Sequence, residues 1–103
     1  MLPPKPRKRG PSRAEAEALA TQAFGFLAAD PERITRFLSL TGIAAESVRR
    51  AASEPGFLPA VLDYFLNDEA LLVAFAEQSA TAPEAIIAAR AALDSASPRS
   101  RGE

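Results

Sequence analysis

Histidine and cysteine are both absent from this chain of 103 residues. Without cysteine there can be no disulfide bond, no thiolate nucleophile and no cysteine-ligated zinc. Without histidine the chain lacks the commonest metal ligand and the side chain that titrates near neutral pH. No glycine-rich phosphate loop and no nucleophile motif occurs either. We therefore expect a protein that is not an enzyme, with no catalytic residue, no cofactor and no metal.

Long apolar segments are also missing from the sequence. No run approaches the roughly 20 residues that a helix needs to cross a bilayer. The basic start of the chain is followed by proline and glutamate rather than by the apolar segment of a signal peptide. These features lead us to expect a soluble, cytoplasmic protein without a membrane partner.

The net charge of −1 hides an uneven distribution along the chain. Residues 1–13 carry five basic side chains and no acid, whereas residues 14–93 carry five arginines against eleven acids. Prolines and a glycine prevent a helix in residues 1–11, so we predict a disordered basic arm there and a disordered tail at residues 95–103. The arm is either an electrostatic anchor for nucleic acid or another acidic surface, or a solubilising tail. Its candidate contact residues are Lys5, Arg7, Lys8 and Arg9.

The strongest structural pattern covers residues 57–75, which hold four of the seven aromatic side chains. Apolar residues recur there with the spacing of one helix face, and a second apolar stripe follows after a short break. Asp68 lies at that break, where its carboxylate can accept hydrogen bonds from the first free amides of the second helix. The pattern therefore predicts two consecutive helices.

Capping residues place two further helices before this pair. Ser12 and Glu15 have the spacing of a capping box, which predicts a helix start. Asp30 followed by Pro31 predicts a second start, because proline is well tolerated at the first helical position. Gly42 can take the left-handed conformation that ends a helix.

Two shorter segments complete the predicted fold. Residues 45–53 form a helix with a thin apolar face, and Thr81 is predicted to cap a last helix over residues 82–93. We predict an all-α protein, a compact bundle of five or six short helices, with a single domain over residues 12–94.

A shift of 38 residues aligns the first half of the predicted helices with the second half. Asp30 falls on Asp68 and Phe37 on Phe75, so that capping and buried positions coincide. One interpretation is two copies of a three-helix unit. The other is that any succession of amphipathic helices aligns this well.

The segment of residues 37–50 resembles the turn and second helix of a repressor-type helix-turn-helix. Ser47, Arg49 and Arg50 would then approach phosphates or guanine edges. Leu38 departs from that pattern, because the position four residues before the glycine is usually small. The alternative is a helical corner whose arginines face solvent.

Two aromatic residues lie just off the main apolar stripes. Phe26 and Tyr64 occupy equivalent positions under the 38-residue shift and are candidate anchors for a partner helix. Aromatic residues at such positions more often cover the edge of the core. The acidic residues near Tyr64, namely Asp63, Asp68 and Glu69, show no arrangement of a catalytic pair.

Several motifs together carry a family resemblance over about residues 15–93. They are the phenylalanine pair at Phe24 and Phe26, the segment Asp30-Pro-Glu-Arg33, the Thr41-Gly42 stop and the segment Pro55-Gly-Phe-Leu58. The chain resembles an uncharacterised family of short bacterial all-helical proteins, which carries a domain-of-unknown-function label. This resemblance implies a helical fold and no activity, substrate or cofactor.

Together these observations lead to two functional hypotheses. The first is a non-enzymatic helical protein-interaction module of unknown partner, whose surface includes Ser47, Arg49, Arg50, Tyr64 and Phe26. The second is a DNA-binding protein that uses residues 37–50 with the basic arm, and in which Arg33 and Arg36 would add phosphate contacts. The salt dependence of binding distinguishes them, because affinity that depends on phosphate contacts falls steeply with salt.

Overall fold

The computed structural model describes residues 10–95, and within that range it contains helices and no strand. The α-helices are α1 (Arg13–Ala28), α2 (Pro31–Thr41), α3 (Val48–Ala51), α4 (Phe57–Leu66), α5 (Glu69–Ser79) and α6 (Pro83–Ser95). A 3-10 turn at Ala45–Ser47 precedes α3. This architecture confirms the prediction of an all-α bundle of five or six short helices. The predicted arm and tail lie almost entirely outside the described residues.

The predicted capping residues begin three of these helices. The Ser12 hydroxyl accepts a hydrogen bond from the Glu15 amide at 3.1 Å, and the Glu15 carboxylate accepts one from the Ser12 amide at 2.9 Å. The Asp30 carboxylate accepts from the Glu32 amide at 2.9 Å. Asp68 caps α5 in the same way, since it accepts from the Leu71 amide at 3.1 Å. Each cap satisfies a backbone donor that has no partner within its own helix.

Residues with a left-handed backbone conformation end α2 and α5. Gly42 has φ 78° and donates its amide to the Leu38 carbonyl at 2.9 Å, as predicted from the sequence. The end of α5 was not predicted, because the residue with positive φ is Ala80, at 55°. The Thr81 amide then donates to the Ala76 carbonyl at 2.9 Å, which is the hydrogen bond of a Schellman motif.

The core lies where α1, α4 and α6 pack against one another, with α2 against α1 and α5 against α4. Small side chains on α1 let the neighbouring helices approach closely, and larger side chains fill the centre. The fully buried residues are Ala16, Ala20, Ala23, Leu27, Phe37, Val61, Leu62, Phe65, Phe75, Ile86 and Ala89. Within residues 10–95, no helix combines the length and the apolar character that spanning a membrane requires.

The third predicted helix is shorter than expected. Residues 45–53 were predicted to be helical throughout, but the α-helical part is only Val48–Ala51. No side chain caps the segment, and none of its residues is buried, so little holds a longer helix in place.

The last helix also starts differently from the prediction. It begins at Pro83, one residue later than expected, with proline at the first helical position. The Thr81 hydroxyl donates to the Ser79 carbonyl at 3.3 Å, because Thr81 completes the end of α5.

The bounds of α2 and α5 follow the 38-residue shift. Both ends of α2 map onto both ends of α5, and Gly42 maps onto Ala80. The Thr41 hydroxyl donates to the Phe37 carbonyl at 2.8 Å, and the Ser79 hydroxyl donates to the Phe75 carbonyl at 2.7 Å. These coincidences are what two copies of one three-helix unit predict.

Candidate functional site

All seven aromatic side chains belong to one continuous network of ring contacts, with centroids 5.1 to 6.4 Å apart. Edge-on and tilted arrangements dominate, as the quadrupole of aromatic rings favours. Two groups of three rings are joined by the tyrosine. The first group is Phe24, Phe37 and Phe57, the second is Phe26, Phe65 and Phe75, and Tyr64 connects Phe37 to Phe65.

Two contacts of this network are reciprocal under the 38-residue shift. Tyr64 meets Phe37 at 5.1 Å, and Phe26 meets Phe75 at 5.4 Å. Phe26 and Tyr64 are equivalent positions, and so are Phe37 and Phe75. Contacts between i and j′ and between j and i′ are the pattern of two units related by a two-fold rotation. Phe26 and Tyr64 therefore hold the two halves together while each stays half-buried.

An open cleft of about 220 Å³ lies beside these aromatic side chains, between α2 and α5. Its walls come from the end of α1, the outer face of α2, Tyr64 of α4 and the first two turns of α5. The lining residues are Leu27, Arg33, Arg36, Tyr64, Asp68, Ala70, Leu71 and Ala74. We call this the α2/α5 cleft. It contains two pairs of equivalent positions, 33 with 71 and 36 with 74, so it lies between the two halves.

Arg33 is held in a fixed orientation at the wall of the α2/α5 cleft. Its guanidinium carbon lies 4.5 Å from the centroid of the Phe26 ring, within the range of a cation–π contact. Its Nη1 lies 3.5 Å from the Asp30 carboxylate. The side chain is still 38% exposed, so part of the guanidinium faces the cleft.

Arg36 follows Arg33 by three residues and lines the same wall of the α2/α5 cleft. It is exposed and forms no ion pair with any residue of the range 10–95. The Asp68 carboxylate, at the far wall, accepts a hydrogen bond from the Leu71 amide. The Tyr64 hydroxyl has no hydrogen-bond partner among the described residues. The cleft thus offers two donors without a partner among the described residues, Arg36 and the Tyr64 hydroxyl, and a far wall that is apolar apart from Asp68.

The family profile described as a protein of unknown function, DUF3572, matches residues 13–96. The chain belongs to this family. The match spans all six helices, α1 to α6. No curated protein matches the chain, and no solved structure does.

In this DUF3572 chain, the candidate interaction residues on and next to α3 lie apart from Tyr64 and Phe26. Arg49 and Arg50 are exposed on α3, and Ser47 is half-buried in the preceding 3-10 turn. Arg49 borders a second, larger and more open depression of about 650 Å³ that shares no lining residue with the α2/α5 cleft. The candidate surface named from the sequence is therefore two surfaces.

The helix-turn-helix hypothesis depends on a second helix that presents several side chains to a groove. In the DUF3572 chain that helix is α3, with four residues, after α2 and the turn at Gly42. One helical turn presents few side chains along a groove. The arm residues Lys5, Arg7, Lys8 and Arg9 lie outside the described residues.

Two of the three acidic residues near Tyr64, Asp63 and Asp68, have structural partners. The Asp63 carboxylate accepts a hydrogen bond from Arg90 Nε at 2.7 Å, which joins α4 to α6 and raises the pKa of Arg90. Asp68 is the cap of α5. Among the described residues, no group of three or more metal-ligating side chains is close enough to hold a metal ion.

The sequence indicated the aromatic part of the α2/α5 cleft but not its charged wall. Arg33 and Arg36 were considered only as phosphate contacts, and Leu71 and Ala74 only as part of a helix. The 38-residue shift contained the missing signal, since it places 33 over 71 and 36 over 74. Equivalent positions near a two-fold axis face each other.

Proposed function

We propose that the protein is a non-enzymatic interaction module of the cytoplasm that docks another protein at the α2/α5 cleft. The observation that carries this proposal is the combination of Tyr64, Arg33 and Arg36 in one exposed concavity. Tyrosine and arginine are enriched among the residues that dominate binding energy at protein interfaces.

The rigidity of the cleft supports a docking role. The Tyr64 ring is fixed by its edge-on contact with Phe37, and Arg33 is fixed by Phe26 and Asp30. Side chains that are already ordered lose little conformational entropy when a partner binds. Two of the side chains that a partner would meet in the cleft, Tyr64 and Arg33, are therefore preorganised.

The absence of an enzymatic role is part of the proposal. Of the three acidic residues that could have served as acid or base, Asp63 pairs with Arg90 and Asp68 caps a helix. Glu69 is exposed in the first turn of α5. These positions give each carboxylate a structural or solvated environment.

The DNA-binding alternative has less support than protein docking. The recognition helix would be α3, which has a single turn. In addition, residues 10–95 carry six arginines against twelve acidic residues. That charge repels a polyphosphate in general. A titration of labelled full-length protein with mixed-sequence duplex DNA, at low and at physiological salt, tests the alternative. Amide shifts centred on residues 47–50 that weaken steeply between low and physiological salt would support DNA binding against our proposal.

Photo-crosslinking tests the docking proposal directly. A photoreactive side chain placed at Ala70, which is exposed at the cleft, should form one defined adduct in a lysate of the source cells. The matched control is Ala18, which is exposed on α1 and lines none of the clefts described above. Unlabelled wild-type protein should compete for the adduct. The variant Ala74→Gln should not compete, because its longer neutral side chain fills the cleft.

Equal adducts from Ala70 and Ala18 would contradict the proposal, as would equal competition by the wild type and the Ala74→Gln protein. Circular dichroism of Ala74→Gln provides the folding control, since glutamine is a good helix former.

A further inference from the structure

The geometry points to an acidic segment of the partner, with a glutamate or aspartate next to an apolar side chain, as the occupant of the α2/α5 cleft. This inference rests on the proposed docking function and adds the chemistry that the cleft selects. The inference depends on two features of the cleft, namely the guanidinium groups of Arg33 and Arg36 on one wall and the mostly apolar surface of the other wall.

The cationic wall fits a single carboxylate. A guanidinium presents a planar fork of donors that matches a carboxylate, and such charge-assisted hydrogen bonds are among the strongest in proteins. The contact of the Arg33 guanidinium carbon with the Phe26 ring, at 4.5 Å from the ring centroid, holds this fork beside the cleft. Arg36, three residues later on the same helix, supplies a second cation with no ion-pair partner among the described residues. The half-buried Tyr64 hydroxyl adds a neutral donor.

The opposite wall selects an apolar neighbour for that carboxylate. Leu27, Ala70, Leu71 and Ala74 provide carbon surface there. The only acid at the cleft, Asp68, already accepts a backbone amide. Asp68 caps α5, where the positive end of the helix dipole offsets part of its charge. With its carboxylate at Arg36, an acidic residue of the partner can place its apolar neighbour against Leu71.

Positions that are equivalent in the two halves carry different residue types in the α2/α5 cleft, and this makes the two walls chemically different. Arg33 and Leu71 are equivalent under the 38-residue shift, and so are Arg36 and Ala74. The two walls thus occupy corresponding places in the two halves but carry different chemistry. A symmetric cleft would accept two like groups, whereas this cleft accepts one charged and one apolar group side by side.

Size and surrounding charge restrict the occupant further. The volume of about 220 Å³ is below the roughly 300–1,000 Å³ of small-molecule sites and suits the side chains of a peptide. The excess of six acidic residues over basic ones in residues 10–95 repels an extended polyanion. One carboxylate can reach the two arginines without bringing further charges close to that acidic surface.

The test uses full-length ¹⁵N-labelled protein and three short peptides in a neutral glycine and serine context, with both ends blocked. The first contains a glutamate–leucine pair, the second a glutamine–leucine pair, and the third a glutamate–glycine pair. We expect the first to shift the amides of Arg33, Arg36, Tyr64 and Leu71. The second and third should bind about tenfold more weakly, because each loses the contact to one wall.

Two arginine variants provide the matched comparison. Arg36→Gln should weaken the glutamate–leucine peptide about tenfold and leave the glutamine–leucine peptide unchanged. Arg49→Gln, which removes an exposed arginine from α3, should change neither affinity. Both arginines lack ion pairs within residues 10–95, so the variants leave the fold intact.

Each outcome either supports or overturns the inference. Equal binding of the glutamate and glutamine peptides, with shifts at the cleft, overturns the acidic preference and leaves the docking function standing. Shifts that do not centre on the cleft overturn it too, even when the Ala70 adduct forms. If the peptides produce no shifts at the cleft and Ala70 gives no specific adduct, both the inference and the proposed function fail.

Discussion

Gly42 and Ala80 end equivalent helices with the same left-handed backbone, although only one of them is glycine. An L-residue in that region places its Cβ too close to the following carbonyl oxygen, at a cost of roughly 1–2 kcal/mol. The Schellman hydrogen bond from Thr81 holds Ala80 there in spite of the strain. The second half of the chain thus carries a strain that its first half avoids.

We expect Ala80→Gly to raise the free energy of unfolding by about 1 kcal/mol, because glycine removes this strain. The reverse change, Gly42→Ala, should lower it by about 1 kcal/mol. A Cβ at Gly42 meets nothing within 4 Å, so the loss is one of backbone conformation alone. Urea unfolding followed by circular dichroism measures both changes.

The control for this pair is Ala18→Gly, at an exposed position inside α1. It should lower the free energy of unfolding by about 1 kcal/mol, since glycine is a poor helix former. A loss of stability in Ala80→Gly comparable to that of Ala18→Gly would contradict the account of α5 given above.

Arg90 is the residue that ties α4 to α6. Its Nε lies 2.7 Å from Asp63, its Nη1 lies 3.8 Å from Asp94, and the hydrogen bond to Asp63 raises the pKa of Arg90. A raised pKa of a cation means that its stabilisation is fully present below the ordinary arginine pKa. The stabilisation is lost only as the pH rises through the raised value.

We therefore expect Arg90→Gln to lower the free energy of unfolding by about 0.5–1 kcal/mol, the range for a pair that is partly solvated. The loss should be the same at about pH 6 and about pH 9, because histidine and cysteine are absent. Arg13→Gln breaks the exposed pair with Glu17 and serves as the control, with a smaller change expected. A loss that varies across this pH range would refute the assignment.

At the scale of elements, local signals in the sequence determined where three helices begin and where α2 ends. Ser12, Asp30, Gly42 and Asp68 act within a few residues of their own positions, so spacing alone identified them. The extent of α3 could not be predicted in this way, because it depends on how much of the helix finds a neighbour to pack against.

The α2/α5 cleft could not be predicted from the sequence for a related reason. Its walls come from positions 27 to 74, and their meeting depends on how α2 and α5 are placed by the core. Tyr64 and Phe26 could be recognised as residues at the edge of an apolar stripe. The contact of the Arg33 guanidinium with the Phe26 ring depends on the turn at Asp30, which brings α2 back along α1, and the sequence did not predict it.

The difference between α3 and α6 predicts unequal local stability. Val48 and Ile86 are equivalent positions, but Val48 is half-buried and Ile86 is fully buried. We expect Val48→Ala to lower the free energy of unfolding by about 1 kcal/mol and Ile86→Ala by about 3 kcal/mol. Native-state hydrogen exchange should show amides 48–51 opening without global unfolding, while α6 opens with the whole domain. Equal protection of the two helices would contradict this prediction.

At the scale of the whole molecule, side-chain packing between the two halves stabilises the fold more than the covalent link at residues 53–56 does. The reciprocal pairs of Phe37 with Tyr64 and of Phe26 with Phe75 cross between them, and α1 packs on both α4 and α6. A three-helix unit alone would expose these rings to water. Two such units bury them against each other, as the subunits of a symmetric dimer do.

This arrangement predicts that the chain stays folded after it is cut between the halves. Residues 53–56 are exposed and connect α3 to α4, so a protease site inserted there is accessible. Cleavage of the folded protein should leave the helical circular dichroism nearly unchanged. The midpoint of thermal unfolding should fall and become dependent on protein concentration, because unfolding now separates two chains.

The separated halves supply the decisive comparison. Neither should show a cooperative thermal transition on its own, because each then lacks a ring from the other half that packs on its phenylalanine, Tyr64 on Phe37 or Phe26 on Phe75. Mixing them should restore helical signal beyond the sum of the two, and Phe37→Ala in the first half should prevent this by removing the ring that meets Tyr64. Cooperative unfolding of one isolated half would instead make that half a domain in its own right. The α2/α5 cleft would then lie between two domains, and its shape would depend on their docking.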